Sequence, residues 1–432
     1  MKAVIIGSGM AGLGAAQRLR EGGVEPVLYD KNSFPGGHTA SFRHASGFVF
    51  DDGPHVSFTK NRRLQDLLAA NVGGEFETLQ CRVNNYWRGH WIKHPAQCNL
   101  YGLPAELVDT IVAEFTALAD APDGEIANYA DWLRASYGET FSRTFPMEYG
   151  RKYHTCGAEQ MTTEWLGPRL YRPDLEEVRY GATHEATPDV HYVTHFRYPT
   201  EDGFYAYPRP WVKRADLHLG WELTAVEPTT RRLCFANGKE IEYDKLISSV
   251  PLPELIPMIA AVPDEVSAAA ELLACTQCMT VNVGIEREGV SEHHWTYFYD
   301  EDYFFTRLSF PHLFSPRTVP AGTSAIQAEC YYSDKYRPLD ATPDECIDRV
   351  LADLRRCGLL QDDDRILMTE ARPIRWANII FDLDRPAALA IVHGFLDEVG
   401  IRYAGRYGEW GYLWTDQSFA SGERAADRAL GS

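Results

Sequence analysis

Residues 3–6, AVII, run straight into Gly7-Ser-Gly9-Met-Ala-Gly12 and then into an Ala/Leu-rich stretch with helical spacing. A lone GxGxxG says little. Here a second strand-like run, VEPVLYD, follows and ends in Asp30, eighteen residues beyond Gly12. Strand, glycine turn, helix and strand with a terminal acid form the fingerprint of a dinucleotide site. Gly7 permits the tight turn, Gly9 lets a pyrophosphate approach the backbone, and Gly12 lets the helix pack on the strand. Phosphate then meets the helix N-terminus, where free N–H groups and the dipole favour an anion. In this reading Asp30 accepts hydrogen bonds from the adenosine ribose. The bland alternative is a glycine-rich turn with no ligand.

The fingerprint alone does not separate NAD from FAD; the next stretch does. KNSFPGGHTASF places Lys31, a second glycine pair, Gly36-Gly37, and His38 just past the acid. A transiently bound NAD has no need of them. A long, permanently held FAD does, because its ribityl chain and ring system must pass close to backbone beyond the pyrophosphate. GFVFDDGPHVSFTKN then adds a short strand and a Gly53-Pro54-His55 turn, which can carry backbone and an imidazole up to the ring. FAD is the expected cofactor.

At 432 residues the chain exceeds one hydrophobic core and is expected to divide into two or three domains. Its formal charge of −19 argues against nucleic acid and anionic membrane surfaces as partners. No apolar run approaches the ~20 residues of a membrane span. MKAVIIGSGM is already a strand entering a glycine turn rather than a secretory signal, so a cytoplasmic location is expected. Nine scattered cysteines agree with reduced thiols. Cys275 and Cys278 form one CxxC with no second pair, so they read as small buried residues and no metal is expected.

The pattern is α/β: a Rossmann-like domain built from residues 1–60, 196–255 and 395–432, a helical insertion over 61–195, and an antiparallel-sheet substrate domain over 256–394. Residues 196–214 read as a loop followed by a helix. The following run to Pro251 reads as four strands around an Asn-Gly turn. Near the C-terminus, GRYGEWGYLWTDQSFASG threads aromatics with glycines and leads into a helix. A terminal segment frays unless something ties it down.

On the two glycine motifs and this C-terminal segment the chain resembles the flavoprotein superfamily of amine oxidases, protoporphyrinogen oxidases and UDP-galactopyranose mutases. Its local motifs are most similar to the mutases. The resemblance implies that the last segment returns to close the FAD site. Gly405 and Arg406 would form its turn. Asp416 would N-cap a helix starting near Gln417, with Ser418 beside it, and the hairpin would meet the adenine near Leu223.

The same resemblance places the mutases' flavin-side histidine on His55, their flavin-side arginine on Arg307 in FFTRLSF, and a diphosphate-binding tyrosine on Tyr412. It implies reduced FAD, primed by a reductant such as NAD(P)H, acting on a nucleotide sugar without net redox change. Arg169, Arg172 and Arg307 are the candidate diphosphate cations. The chain also departs from the mutases. Trp414 stands where they carry an acid, their second diphosphate tyrosine is missing near Ala377, and a uridine-contacting tryptophan is replaced around Lys152-Tyr153. The competing expectation is an oxidase or dehydrogenase using oxidised FAD, for which no flavin-facing lysine or aromatic pair can be placed. A flavin-free binding protein is the third.

Overall fold

The computed structural model describes residues 1–119, 124–167, 170–190 and 192–431. The apolar strand Ala3–Ile6 is wholly buried and needs partners on both edges. It pairs in parallel with Val27–Asp30 and with Lys245–Ser248. Asp216–Leu219 and Ile401–Tyr403 extend the sheet, also in parallel, giving five strands drawn from three distant stretches of chain.

A parallel sheet must be covered on its faces. The helices Met10–Glu21 and Thr415–Gly431 do so as a closely packed pair. A Cβ on Gly14 would run into the Phe419 carbonyl, and one on Gly422 into the Ala11 carbonyl. Phe419, fully buried, packs on Trp211 with ring centroids 4.6 Å apart. This is what ties the C-terminal segment down. Beside the sheet lies the expected hairpin, Leu223–Glu227, Arg232–Phe235 and Glu240–Glu242, turning at Asn237-Gly238.

A second, seven-stranded sheet runs in the order Ile366–Ile374, Gln277–Ile285, Ser324–Tyr332, Arg307–Ser309, Trp295–Phe298, Val83–Trp87, His90–Lys93. The last two strands lie within the expected helical insertion over 61–195, which therefore holds strands as well as helices. Val83–Trp87 has all five residues buried and pairs in parallel with Trp295–Phe298. A strand buried on both faces shows no alternation, and its partner lies over two hundred residues away, so nothing local announces it. Likewise Phe76–Gln80 pairs with His195–Pro199, a strand inside the stretch expected to open as a loop. The helices of 61–195 include Ala105–Ala119, Tyr129–Thr144 and Pro146–Tyr153. No helix among the described residues is long and apolar enough to cross a membrane.

Candidate active site

A cavity of about 550 Å³ opens between the C-terminal ends of the parallel strands and one face of the seven-stranded sheet. That is where open α/β sheets bind ligands. Its first arm is built by the glycines. Gly7 has φ +104° and its N–H donates to the Tyr29 carbonyl at 2.8 Å, making the tight turn. A Cβ on Gly12 would collide with the Gly7 carbonyl. Gly9 caps the helix with no side chain on its first N–H groups, leaving them for an anion. Gly37 lies against it: a Cβ on Gly37 would sit 3.1 Å from the Gly9 Cα. The slot exists because neither residue has a side chain, and it fits a pyrophosphate.

Asp30 is held at the slot by Ser8, whose N–H and hydroxyl both donate to Oδ2, at 2.8 and 2.6 Å, and by the Asn32 N–H on Oδ1 at 2.9 Å. Lone pairs remain for ribose hydroxyls. Leu223, on the hairpin, lines the same arm. Lys31 donates to Glu254 at 2.8 Å, and Glu254 also accepts from the Trp376 indole at 2.6 Å, so these three bridge the cavity wall.

In the middle lie His38, Asp52, Gly53 and His55. His55 Nδ1 bonds the Gly53 carbonyl at 2.8 Å, and burial pushes its pKa down to about 4, so the ring is neutral. Asp52 receives His38 Nδ1 at 3.2 Å and Arg372 Nε at 2.8 Å.

Gly405 has φ +78° and donates its N–H to Ser421 Oγ at 2.8 Å. Arg406 bonds the Leu413 carbonyl through Nε and Nη2, and the Ala377 carbonyl and Asn378 Oδ1 through Nη1. Tyr407 adds a hydroxyl bond to the Trp376 carbonyl at 2.7 Å. The aromatic segment is thereby clamped to residues 376–378. Two C-terminal expectations need correcting. The helix starts at Thr415, so Asp416 lies in its first turn rather than at its N-cap, and the Trp414 N–H donates instead to the Gln417 side chain at 3.0 Å. A reach-back amide three residues on did the capping. Ser418 lines the cavity; Asp416 and Gln417 are not among the lining residues.

The far arm is a chamber of phenols. The hydroxyls of Tyr153 and Tyr412 meet at 2.7 Å, and Tyr149 stacks on Tyr153. Arg307 is ion-paired to Glu329, its register partner on the next strand, through both Nε and Nη2, and Tyr331 donates to the same carboxylate at 2.6 Å. Burial pushes the phenols of Tyr149, Tyr153 and Tyr331 well above their usual range, so they stay protonated. Ser309, two residues from Arg307 and so on the same strand face, lines the cavity with a buried hydroxyl that has no protein partner. Such an orphan fits a bound ligand atom. Trp414, in the acid's place, packs edge-on to Phe58 and parallel to Tyr192, making one end of the chamber apolar.

Arg172 is a third correction. It is exposed and donates to the Ala135 carbonyl at 3.2 Å, away from the cavity, because the chain there turns into the capped helix Leu175–Thr183. Arg169 lies outside the described residues. Glu329, Tyr297, Ser309, Arg372 and Trp376 escaped sequence reasoning. Alternation in AIQAECYYS does put Glu329 and Tyr331 on one face, yet strand register is what turns that face to Arg307. Cys275 and Cys278 are free, and burial keeps both thiols protonated.

A glycine slot at a βαβ turn, an acid beyond it and a second chamber behind it define a protein that holds a flavin dinucleotide against a separate substrate space. A model of the flavin-containing amine oxidoreductase family matches residues 10–430, and the chain belongs to that family. Its cofactor is FAD. A solved structure of reduced UDP-galactopyranose mutase superposes with a TM-score of 0.94 at 27% identity, covering 100% of this chain and 95% of that one. A protein described as a protoporphyrinogen oxidase, from Exiguobacterium sp. 255-15, superposes at 0.78 with 16% identity over 99% and 98% of the two chains, a likeness of fold alone. Phytoene desaturase of Neurospora crassa is 33% identical over 89 residues, which is 20% of this chain and 15% of that protein. The curated relatives are thus matched over only 13–16% of their own length.

Proposed function

We propose that this enzyme isomerises a nucleotide-linked sugar with reduced FAD and no net redox change. The observation that carries the reading is the phenol chamber beside the flavin slot. Aromatic faces suit the C–H faces of a sugar, and the hydroxyls of Tyr153, Tyr297, Tyr331 and Tyr412 suit its oxygens. Full-length similarity to a reduced UDP-galactopyranose mutase supports it. Bound in the slot of Gly7, Gly9 and Gly37, reduced FAD would supply a nucleophile for the anomeric carbon. Tyr153 and Tyr412 hold the diphosphate oxygens, Arg307 supplies positive charge from the sheet, and neutral His55 offers a lone pair to the ring system. A reductant such as NAD(P)H primes the cycle.

The test is a screen of nucleoside diphosphates and nucleotide sugars for a shift in flavin absorbance or melting temperature, with FAD oxidised and reduced. Conversion of a nucleotide sugar that depends on dithionite, with flavin left reduced, is the expected result. One observation favours a second reading. The charge of Arg307 is already matched by Glu329, a better setting for an uncharged or cationic substrate than for a diphosphate. An oxidase or dehydrogenase would then bleach one oxidised flavin per substrate, with no nucleotide bound in either redox state.

A further inference from the structure

We propose that His38 is the proton-transfer group of the flavin cleft, with Asp52 and Arg372 positioning it. The inference stands on either reading of the reaction. Sugar ring opening moves a proton between oxygens, and dehydrogenation releases one, so both require a carrier at the cleft.

Two imidazoles line the cavity, and they are built for different work. His55 is buried with Nδ1 on the Gly53 carbonyl and is held neutral, so it has no proton to give near pH 7. His38 keeps about a third of its side chain exposed within the cleft. Its Nδ1 lies 3.2 Å from Asp52 Oδ2, and among the described residues its Nε2 has no protein hydrogen-bond partner. A carboxylate only accepts, so Nδ1 carries its hydrogen toward Asp52 and Nε2 is the nitrogen left to exchange a proton with a ligand.

The support behind it is rigid. Arg372 bonds the other oxygen of Asp52 at 2.8 Å, and its guanidinium lies 3.6 Å over the Phe42 ring. Burial alone would raise the Asp52 pKa, but His38 and Arg372 outweigh it and hold the carboxyl below its usual range. On the open side the Tyr407 ring packs 5.5 Å from the imidazole. The backbone is equally constrained, because His38 follows Gly36 and Gly37, both at positive φ, where the chain presses against Gly9. The other titratable groups facing the ring are His55 and the Tyr407 phenol, which burial keeps protonated; Arg406 lies beyond His55, and Asp51 sits behind Asp52, where burial pushes its pKa to about 6.

The step is a proton transfer only. Protonated His38 gives its Nε2 hydrogen to a basic oxygen or nitrogen in the cleft, Asp52 stays ionised and stabilises the imidazolium, and the Nε2 lone pair recovers a proton from solvent or from the ligand. No electrons move in it.

The test uses the FAD-loaded protein and the pH dependence of its visible flavin spectrum. Wild type is expected to show a transition that belongs to the His38 imidazole, distinct from any contributed by the buried Asp51 carboxyl. H38Q abolishes it and H55Q retains it. D52N keeps the hydrogen-bonding shape but loses the charge, moving the midpoint down by about one unit or more. Should H38Q fail to hold FAD, the D52N midpoint and the imidazole ¹⁵N shifts of the apoprotein decide, with Nδ1–H and a lowered D52N midpoint expected. A FAD-loaded H38Q that keeps the transition, or a D52N that leaves the midpoint unmoved, overturns the proposal.

Discussion

The hydroxyl oxygens of Tyr153 and Tyr412, 259 residues apart in the chain, meet at 2.7 Å on the chamber wall. One ends the helix Pro146–Tyr153 and the other sits in the clamped C-terminal segment. They bring a helical segment and the FAD closure into one surface. Tyr153→Phe or Tyr412→Phe is expected to cost about 1 kcal/mol of stability. Either should weaken ligand binding severalfold and leave FAD content intact. Calorimetry of ligand binding together with the flavin-to-protein absorbance ratio measures both, and loss of FAD would contradict a substrate-side role.

Gly9→Val tests the slot. The nearest atoms to a Cβ there, the Gly36 carbonyl oxygen and Gly37 Cα, are 3.9 Å away, so the first carbon fits and the branches fill the phosphate space. The variant should purify folded and colourless, with a melting temperature close to that of the wild-type apoprotein. A yellow Gly9→Val would show that the pyrophosphate lies elsewhere.

Arg307 and Glu329 form a largely buried pair, and removing one partner leaves the other uncompensated, at a cost of about 3–5 kcal/mol. Arg307→Ala leaves a negative charge near the flavin and should lower its reduction potential. Glu329→Gln frees the guanidinium and should raise the potential and strengthen anion binding. Potentials moving together in one direction would place the pair away from the ring.

Acid should unfold the apoprotein early. Burial holds His55, His294 and His312 near 4 and His154 near 3. Their unfolded value is about 6.5. The unfolded chain therefore binds more protons in that window, and stability is lost as pH falls from about 6.5 toward 4. Asp51, raised to about 6, acts in the opposite sense, as do Glu148, Asp300 and Asp353, which burial also raises, while His293 and His393, lowered by burial, add to the loss. Urea midpoints measured from pH 7 to 4.5 should fall steadily; a flat profile would mean that the imidazoles reach solvent.

Lys152 is buried with its ammonium on the carbonyls of Phe298 and Asp300, at 3.0 and 2.8 Å, and burial lowers its pKa to about 7. Since the unfolded lysine titrates near 10.4, the unfolded state holds more protons between about 7 and 10. Wild-type stability relative to Lys152→Met should therefore grow as pH rises through that range. Denaturation of the two proteins in parallel checks the slope.

Much of the FAD half was legible in the chain because its determinants are local. Gly7, Gly9, Gly12 and Asp30 fall within one βαβ unit, and turn, helix start and strand end each carry their own residue signal. The Asn237-Gly238 hairpin was legible for the same reason. The helix start at Thr415 was misplaced by two residues, because a long amide at Gln417 can cap from within the first turn as readily as a short acid can from before it.

What the sequence determined alone was the cofactor class, the α/β architecture and the existence of a C-terminal segment with something to close. Tertiary structure alone decided which side chains share the chamber. Val83–Trp87 joins the sheet without alternation, Arg307 is neutralised by Glu329 through strand register, and Arg172 is exposed and bonds the Ala135 carbonyl instead of lining the cavity. Residue type and spacing encode what a segment can do within a few turns of chain. Charge pairing across strands and contact across hundreds of residues depend on register and packing, which no local pattern carries.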